Sequence, residues 1–243
     1  MGLTKQSTGS SVLGFKPHIE RQHPGQKIIA LAGNPNVGKS TVFNSLTGMR
    51  QHTGNWPGKT VSIAQGSFFH KGVHFLLVDI PGTYSLMANS VEEGVARDFI
   101  CFGDPDAVIV VTDATCLERN LNLVLQVLEV TGNVVVCVNL IDDARRRKIR
   151  IDLEELSRLL GVTVAGTSAR SGKGLDRLMD EVWTVTHEKP GCCRGSPLKI
   201  RYHEAVESAV GLMEPSLEAA LNKKLCARWT ALRLLEGDEN LLE

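Results

Sequence analysis

The sequence predicts an α/β fold: a mostly parallel, doubly wound sheet with an antiparallel hairpin at one edge, followed by a small all-helical domain. Three observations carry this expectation. From Lys27 onward, apolar runs of strand length alternate with segments of helical periodicity. Two strand runs, 61–70 and 73–78, are joined too tightly for a crossover helix, so they form an antiparallel pair at the sheet edge. Past Glu188 the strand signal stops.

Residues 27–32 open the sheet, and a helix is expected over 39–46. After the hairpin come a helix at 91–102, a strand at 107–111 and a helix at 119–130. Around that helix Leu117, Leu121, Val124, Leu125 and Leu128 recur on one face. A strand at 134–138 precedes a helix at 152–160, which Asp152 can cap, Glu155 can complete as a capping box and Gly161 can end. A short strand at 163–165 and a helix at 174–187 close the alternation. The stretch 189–197 holds two prolines and two glycines and reads as a linker. Beyond it, Pro215 and Ser216 suit a helix start, and Leu221, Leu225, Trp229, Leu232 and Leu235 share a helical face. The expected division is a flexible lead-in at 1–26, the α/β domain at 27–187 and the helical domain at 188–243.

Composition narrows the function. The 243 residues carry 27 Lys+Arg against 27 Asp+Glu, which argues against a broad basic surface for nucleic acid. No apolar run approaches the roughly 20 residues that span a bilayer, and the polar N-terminus has no apolar core for a secretory signal. The six cysteines include no Cys-x-x-Cys pair; Cys137 reads as a small buried hydrophobe, and Cys192–Cys193 lie in the linker without histidine ligands nearby.

Chemistry enters after the first strand. Gly33-Asn34-Pro35-Asn36-Val37-Gly38-Lys39-Ser40 fits G-x-x-x-x-G-K-[ST], with Thr41 following inside the helix. Glycines let backbone N–H groups turn inward around a phosphate chain, and the helix that begins near Lys39 adds its positive end. Lys39 is placed to neutralise the outer phosphates, and the Ser40 hydroxyl to ligate Mg²⁺. The segment 33–41 therefore reads as a nucleoside triphosphate site.

Three further segments select the base and the switch. Asp79-Ile80-Pro81-Gly82 follows the third strand, where Asp79 can hold the Mg²⁺ shell and the Gly82 N–H can sense a γ-phosphate. Asn139-Leu140-Ile141-Asp142 follows the fifth strand, and the Asp142 carboxylate can accept guanine N1–H and N2–H, a donor pair adenine lacks. Thr167-Ser168-Ala169 follows the sixth strand and can offer a backbone N–H to guanine O6. In this order the segments resemble the signatures of the P-loop GTPases, which implies GTP and GDP as ligands. One position departs from that pattern: Leu140 stands where such proteins usually carry a lysine stacked over guanine. Losing that cover implies modest affinity and GDP release without a dedicated exchange factor. Thr83 likewise stands where a water-orienting glutamine is usual.

Longer stretches resemble one family. The segment 54–61, Gly-Asn-Trp-Pro-Gly-Lys-Thr-Val, is similar to the first switch of the ferrous iron transporter B (FeoB) family. The segments 78–86 and 117–121, the Lys-less 139–142, and Arg228-Trp229 with 234–238 near the end are similar to it too. The likeness runs from about Ile28 to Asp238. It implies a G domain and a helical domain said to favour GDP, forming the N-terminal cytosolic part of a transporter at the bacterial inner membrane. The resemblance implies that a membrane permease domain follows, with self-association through that membrane part. The resemblance also implies that Thr60 ligates Mg²⁺, and that Asn36 holds K⁺ together with the backbone carbonyls of Gly54 and Trp56.

Slow hydrolysis is then expected, catalysed by positioning and charge through Lys39, Thr60, Asn36 and Gly82 and faster in K⁺ than in Na⁺. Arg119 reads as structural, and Glu92 and Glu93 as an exposed helix face that could otherwise meet Fe²⁺. Two other readings share the same segments: a ribosome-assembly or RNA-modification GTPase, which would normally bring a basic RNA-binding module, and a nucleotide-gated binding module in which hydrolysis is incidental.

Overall fold

The computed structural model describes residues 19, 21, 23–48, 51–55, 61–87, 90–187, 196–221 and 225–237, with only the backbone at 51–55 and at 62. Among the described residues seven strands form one sheet: β1 Lys27–Gly33, β2 Gln51–Asn55, β3 Ser62–His70, β4 Val73–Asp79, β5 Ala107–Asp113, β6 Val134–Asn139 and β7 Thr163–Gly166. Their order is β2-β3-β4-β1-β5-β6-β7. The pairs β4–β1, β1–β5, β5–β6 and β6–β7 are parallel, whereas β2–β3 and β3–β4 are antiparallel. The expected hairpin is therefore real, but β2 lies outside it and forms the edge. Gln-His-Thr-Gly-Asn carries no apolar alternation, so its pairing with β3 rather than its own pattern makes it a strand.

The helices are α1 Lys39–Thr47, α2 Val91–Phe102, α3 Leu117–Val130, α4 Ile141–Arg146, α5 Leu153–Leu160, α6 Leu175–His187, α7 Glu204–Leu221 and α8 Ala227–Leu235. β1 shows why its run is continuously apolar. Ile28, Ala30 and Ala32 pack with Val95, Phe99, Leu123 and Val127 of α2 and α3, while Ile29 and Leu31 pack with Val42 and Phe43 of α1 and Leu178 and Val182 of α6. Successive side chains leave opposite faces, and each face is covered by helices.

Several local expectations change. In α3 the fully buried apolar positions are Leu123, Val124 and Val127, and Leu117, Leu121 and Leu125 are only partly buried. Asp152 caps α5 by accepting from Glu154 N (3.1 Å) and Glu155 N (2.9 Å). The Glu155 side chain pairs with Arg158, so the capping box is half made. Gly161 ends α5 at φ 66°, as expected. Pro215 lies inside α7 instead of starting a helix. Leu221 ends α7, Leu225 lies between the helices, and Trp229, Leu232 and Leu235 belong to α8, so the five residues do not share one helical face. Those helices pack on each other around Val210, Ala231 and Leu232. No helix among the described residues is long and apolar enough to cross a membrane.

Candidate functional site

The first turn between β1 and α1 is shaped by three residues. A Cβ on Gly33 would lie 2.7 Å from the Val111 carbonyl oxygen, so only glycine lets β1 end against β5. Asn36 (φ 66°) and Gly38 (φ 82°) are left-handed, which curls the loop. Val37 is buried and pins the loop to the core, while Asn36, Ser40 and Thr41 are exposed and Pro35 is half-buried. Gly38 caps α1 without a side-chain hydrogen bond. The first N–H groups of α1 therefore face outward at the positive end of its dipole. Asn34 is 2% exposed, and its Oδ1 has no partner among the described residues.

β4 delivers the opposing wall. The Lys39 ammonium donates to the Asp79 carboxylate at the end of β4 and to Ile80 O at 2.7 Å. Burial pushes the Asp79 carboxyl above its ordinary value, and Lys39 pulls it back down. Gly82 lies against the loop, where a Cβ would sit 3.4 Å from Pro35 N and Cα, and Thr83 N donates to Gly33 O at 3.1 Å. Thr83 itself is buried, and its hydroxyl donates to Ser85 O at 2.6 Å. It is committed to its own turn and not to an incoming water.

The second half of the site is held by one amide. Asn139, 1% exposed at the end of β6, donates through Nδ2 to Val37 O at 3.0 Å. Its Oδ1 accepts from Thr167 Oγ1 and from Ala169 N, each at 3.1 Å. Three separate loops thus meet at a single side chain. The same amide limits Gly38, whose Cβ would approach Nδ2 to 2.5 Å. The segment 167–169, expected to offer a backbone N–H to a base, uses its N–H groups within the protein: Ala169 N donates to Asn139, Ser168 N to Lys173 O at 3.0 Å and Thr167 N to Val138 O at 2.8 Å. Leu140 turns left-handed (φ 62°) and starts α4, a short helix the sequence reading left unassigned. Asp142 N donates to Ser168 Oγ at 3.1 Å. The Ser168 hydroxyl beside it holds the exposed Asp142 carboxyl below its ordinary range, so it is an anionic acceptor at neutral pH.

The structure thus brings Gly33–Thr41 positions, Asp79 and Gly82 together, and joins them through Asn139 to Asp142, Ser168 and Ala169. Thr60 and Trp56 lie outside the described residues, as do Cys192 and Cys193. Gly54 sits in β2 opposite Ile63. Glu92 and Glu93 occupy the first turn of α2, where the helix dipole favours acidic residues, and Ser90 Oγ accepts from Glu93 N at 3.1 Å. Among the described residues no group of three or more His, Cys, Asp or Glu is placed to hold a metal ion. Arg119 stacks its guanidinium 4.6 Å from the centre of the Tyr84 ring. Sequence reasoning missed Arg233, whose Nη1 lies 2.6 Å from Met87 Sδ and links α8 to the segment after Gly82. Its signal was an arginine set directly between the apolar Leu232 and Leu234.

Residues 27–182 match the family model for ferrous iron transport protein B, and residues 202–243 match the model for the FeoB cytosolic helical domain. The Fe(2+) transporter FeoB of Salmonella typhimurium is 38% identical over 223 residues, covering 86% of this chain and 27% of that protein. The crystal structure of the cytosolic domain of T. maritima FeoB in GDP form I superposes with a TM-score of 0.81 at 37% identity, covering 91% of this chain and 84% of that one. The GMPPNP form of the same domain gives 0.78 at 37% identity, covering 87% and 81%. The chain spans about a quarter of the length of the transporters it matches, 25% and 27% of two of them. On the strength of a family model spanning residues 27–182, this chain belongs to the FeoB family of ferrous iron transport proteins.

Proposed function

We propose that the chain is the cytosolic, guanine-nucleotide-binding part of a ferrous iron transporter, that it hydrolyses GTP slowly, and that it acts on an adjoining permease part at the inner membrane of a bacterium. We place the G domain at 27–187 and the helical regulatory domain at 188–243, behind a lead-in at 1–26. The observation that carries the reading is the Asn139 junction, which fixes a phosphate-type loop and a guanine-type acidic acceptor in one rigid frame. The GDP and GMPPNP forms of the T. maritima relative support the ligand.

The residues fit the groups this reading requires. Ser40, Asp79 and Thr60 are hard oxygen donors of the kind Mg²⁺ takes, and Ser40 is exposed at the start of α1. When bound, Mg²⁺ would neutralise charge on the β- and γ-phosphates. Asn36, exposed at the left-handed tip of the loop, offers an amide oxygen for K⁺ alongside the carbonyls of Gly54 and Trp56. Lys39 would leave Asp79 and Ile80 O for the phosphates, which frees the carboxylate for the metal's water shell. The N–H groups of Gly82, Asn34 and residues 36–40 orient the γ-phosphate, and the Asp142 carboxylate, beside the Ser168 hydroxyl, orients the base. With Thr83 committed to Ser85, no side chain of this loop aligns the water, which fits slow turnover. Movement after Gly82 reaches α8 through Met87 and Arg233, a physical route from nucleotide state to the helical domain.

The test is GTP turnover in K⁺ and in Na⁺ salts, comparing the chain with Asn36→Ala. Turnover should be faster in K⁺, and Asn36→Ala should lose that advantage while still binding GDP. Equal rates in the two salts remove the K⁺ role, and absence of guanine-selective binding overturns the function.

A further inference from the structure

The turn after α4 is the most cationic stretch of the chain. Arg145, Arg146, Arg147, Lys148 and Arg150 place five positive charges in six positions of a sequence whose formal net charge is zero. Arg146 turns back to Asp143 at 2.7 Å and Asp142 at 3.6 Å. Arg145, Arg147, Lys148 and Arg150 are exposed and form no ion pair among the described residues.

The backbone presents these cations rigidly. Ile149 N donates to Ala144 O at 2.8 Å and Lys148 N to Arg145 O at 3.0 Å, which closes α4 in a Schellman turn. That closure puts Lys148 at φ 61°, a position glycine fills without strain; Gly161 at φ 66° ends α5. Compensating the negative end of a two-turn helix does not require four further cations beyond Arg146. Ile149 is 36% exposed between Lys148 and Arg150, so an apolar side chain stands among the charges. The stretch 140–152 contains no aromatic residue, so it lacks the stacking platform that single-stranded nucleic acid uses.

We infer that residues 145–150 form a docking knuckle for the anionic phospholipid surface of a membrane. The inference rests on the proposed function, which puts the chain beside a bilayer. Its chemistry is that of a juxtamembrane basic cluster: phosphate headgroups meet Arg145, Arg147, Lys148 and Arg150, and Ile149 enters the interface. Each cation brought to an anionic leaflet strengthens binding about fivefold.

The experiment is cosedimentation of the full chain with vesicles of phosphatidylcholine alone and of phosphatidylcholine mixed with phosphatidylglycerol, with GTP turnover measured on the same preparations. Binding should require phosphatidylglycerol and fall as salt shortens the screening length from about 10 Å at 0.1 M to about 3 Å at 1 M. Arg147→Gln combined with Arg150→Gln should weaken it roughly twenty-five-fold. Lys148→Gly should weaken it about fivefold yet raise the melting temperature, because glycine relieves the left-handed strain; lost binding then cannot be a folding defect. Equal binding to both vesicle types, unchanged binding by the variants, or retention on RNA or polyglutamate without vesicle binding overturns the knuckle. Vesicle binding without turnover would overturn the proposed GTPase function and leave the knuckle standing; turnover without vesicle binding does the reverse.

Discussion

Replacing Asn139 by alanine tests the frame on which the site depends. The substitution deletes the donor to Val37 O (3.0 Å) and the acceptor for Thr167 Oγ1 and Ala169 N (3.1 Å each), all in a region where Asn139 is 1% exposed. Three net hydrogen bonds at about 1 kcal/mol each set an expected loss near 3 kcal/mol. Leaving Val37 O or Ala169 N–H buried without a partner carries the loss toward roughly 5 kcal/mol. For a domain of this size about 3 kcal/mol corresponds to a melting temperature lower by ~6–12 °C. Circular-dichroism melts of the chain and of Asn139→Ala, together with titration of a fluorescent GDP analogue, read both consequences. Affinity should fall with stability, because the Val37 loop and the Asp142 helix lose their common anchor. A melting temperature within about 2 °C of the parent would refute the idea that this amide joins the loops. Asn139→Asp is the companion variant: it keeps an acceptor but sets a carboxylate against Val37 O, and it should be no more stable than alanine.

Two other outcomes follow from named contacts. Asp142→Asn exchanges the anionic acceptor for an amide that can donate, so GTP should bind ~10²-fold more weakly, the loss of about 3 kcal/mol of charge-assisted bonding, while xanthosine triphosphate gains affinity in a competition assay. In the helical region the Arg228 guanidinium grips both Glu207 oxygens at 2.8 and 2.9 Å and, helped by Tyr202 N at 2.8 Å, pulls the Glu207 carboxyl from 4.5 to about 2. Because the folded value is depressed, the stabilisation is complete above 4.5 and disappears as pH falls toward about 2. The melting-temperature gap between the chain and Glu207→Gln should therefore be open at neutral pH and close across that window. A gap that does not change with pH would show that the ion pair contributes nothing.

Legibility followed the range of the interactions. The Gly-rich loop could be read because strand, turn and helix are consecutive, and the left-handed demand at Gly38 and the end of α5 at Gly161 are written in single glycines. β2 could not be read, since Gln51–Asn55 becomes a strand by pairing with β3 across the sheet edge. α4 was hidden because six residues are too few for a helical period to show, and its start depends on Leu140 turning left-handed and on Ile141 N reaching Thr167 O at 3.1 Å. Pro215 misled as a helix start because proline is tolerated in the first turn by local rules, whereas the packing of α7 on α8 carries the helix through it.

By itself, then, the sequence determined the alternation of elements, the order of the nucleotide-type segments along the chain, and their departures at Leu140 and Thr83. These are properties of neighbouring residues, where spacing and backbone preference act directly. Tertiary structure alone decided that Asn139 joins Val37 to Ala169, that Lys39 rests on Asp79, that Thr83 is spent on Ser85, and that Arg233 reaches Met87. Apart from the local Thr83 turn, those partners lie 30 to 146 positions apart, so only the closing of the sheet and the docking of α8 bring them within a hydrogen bond.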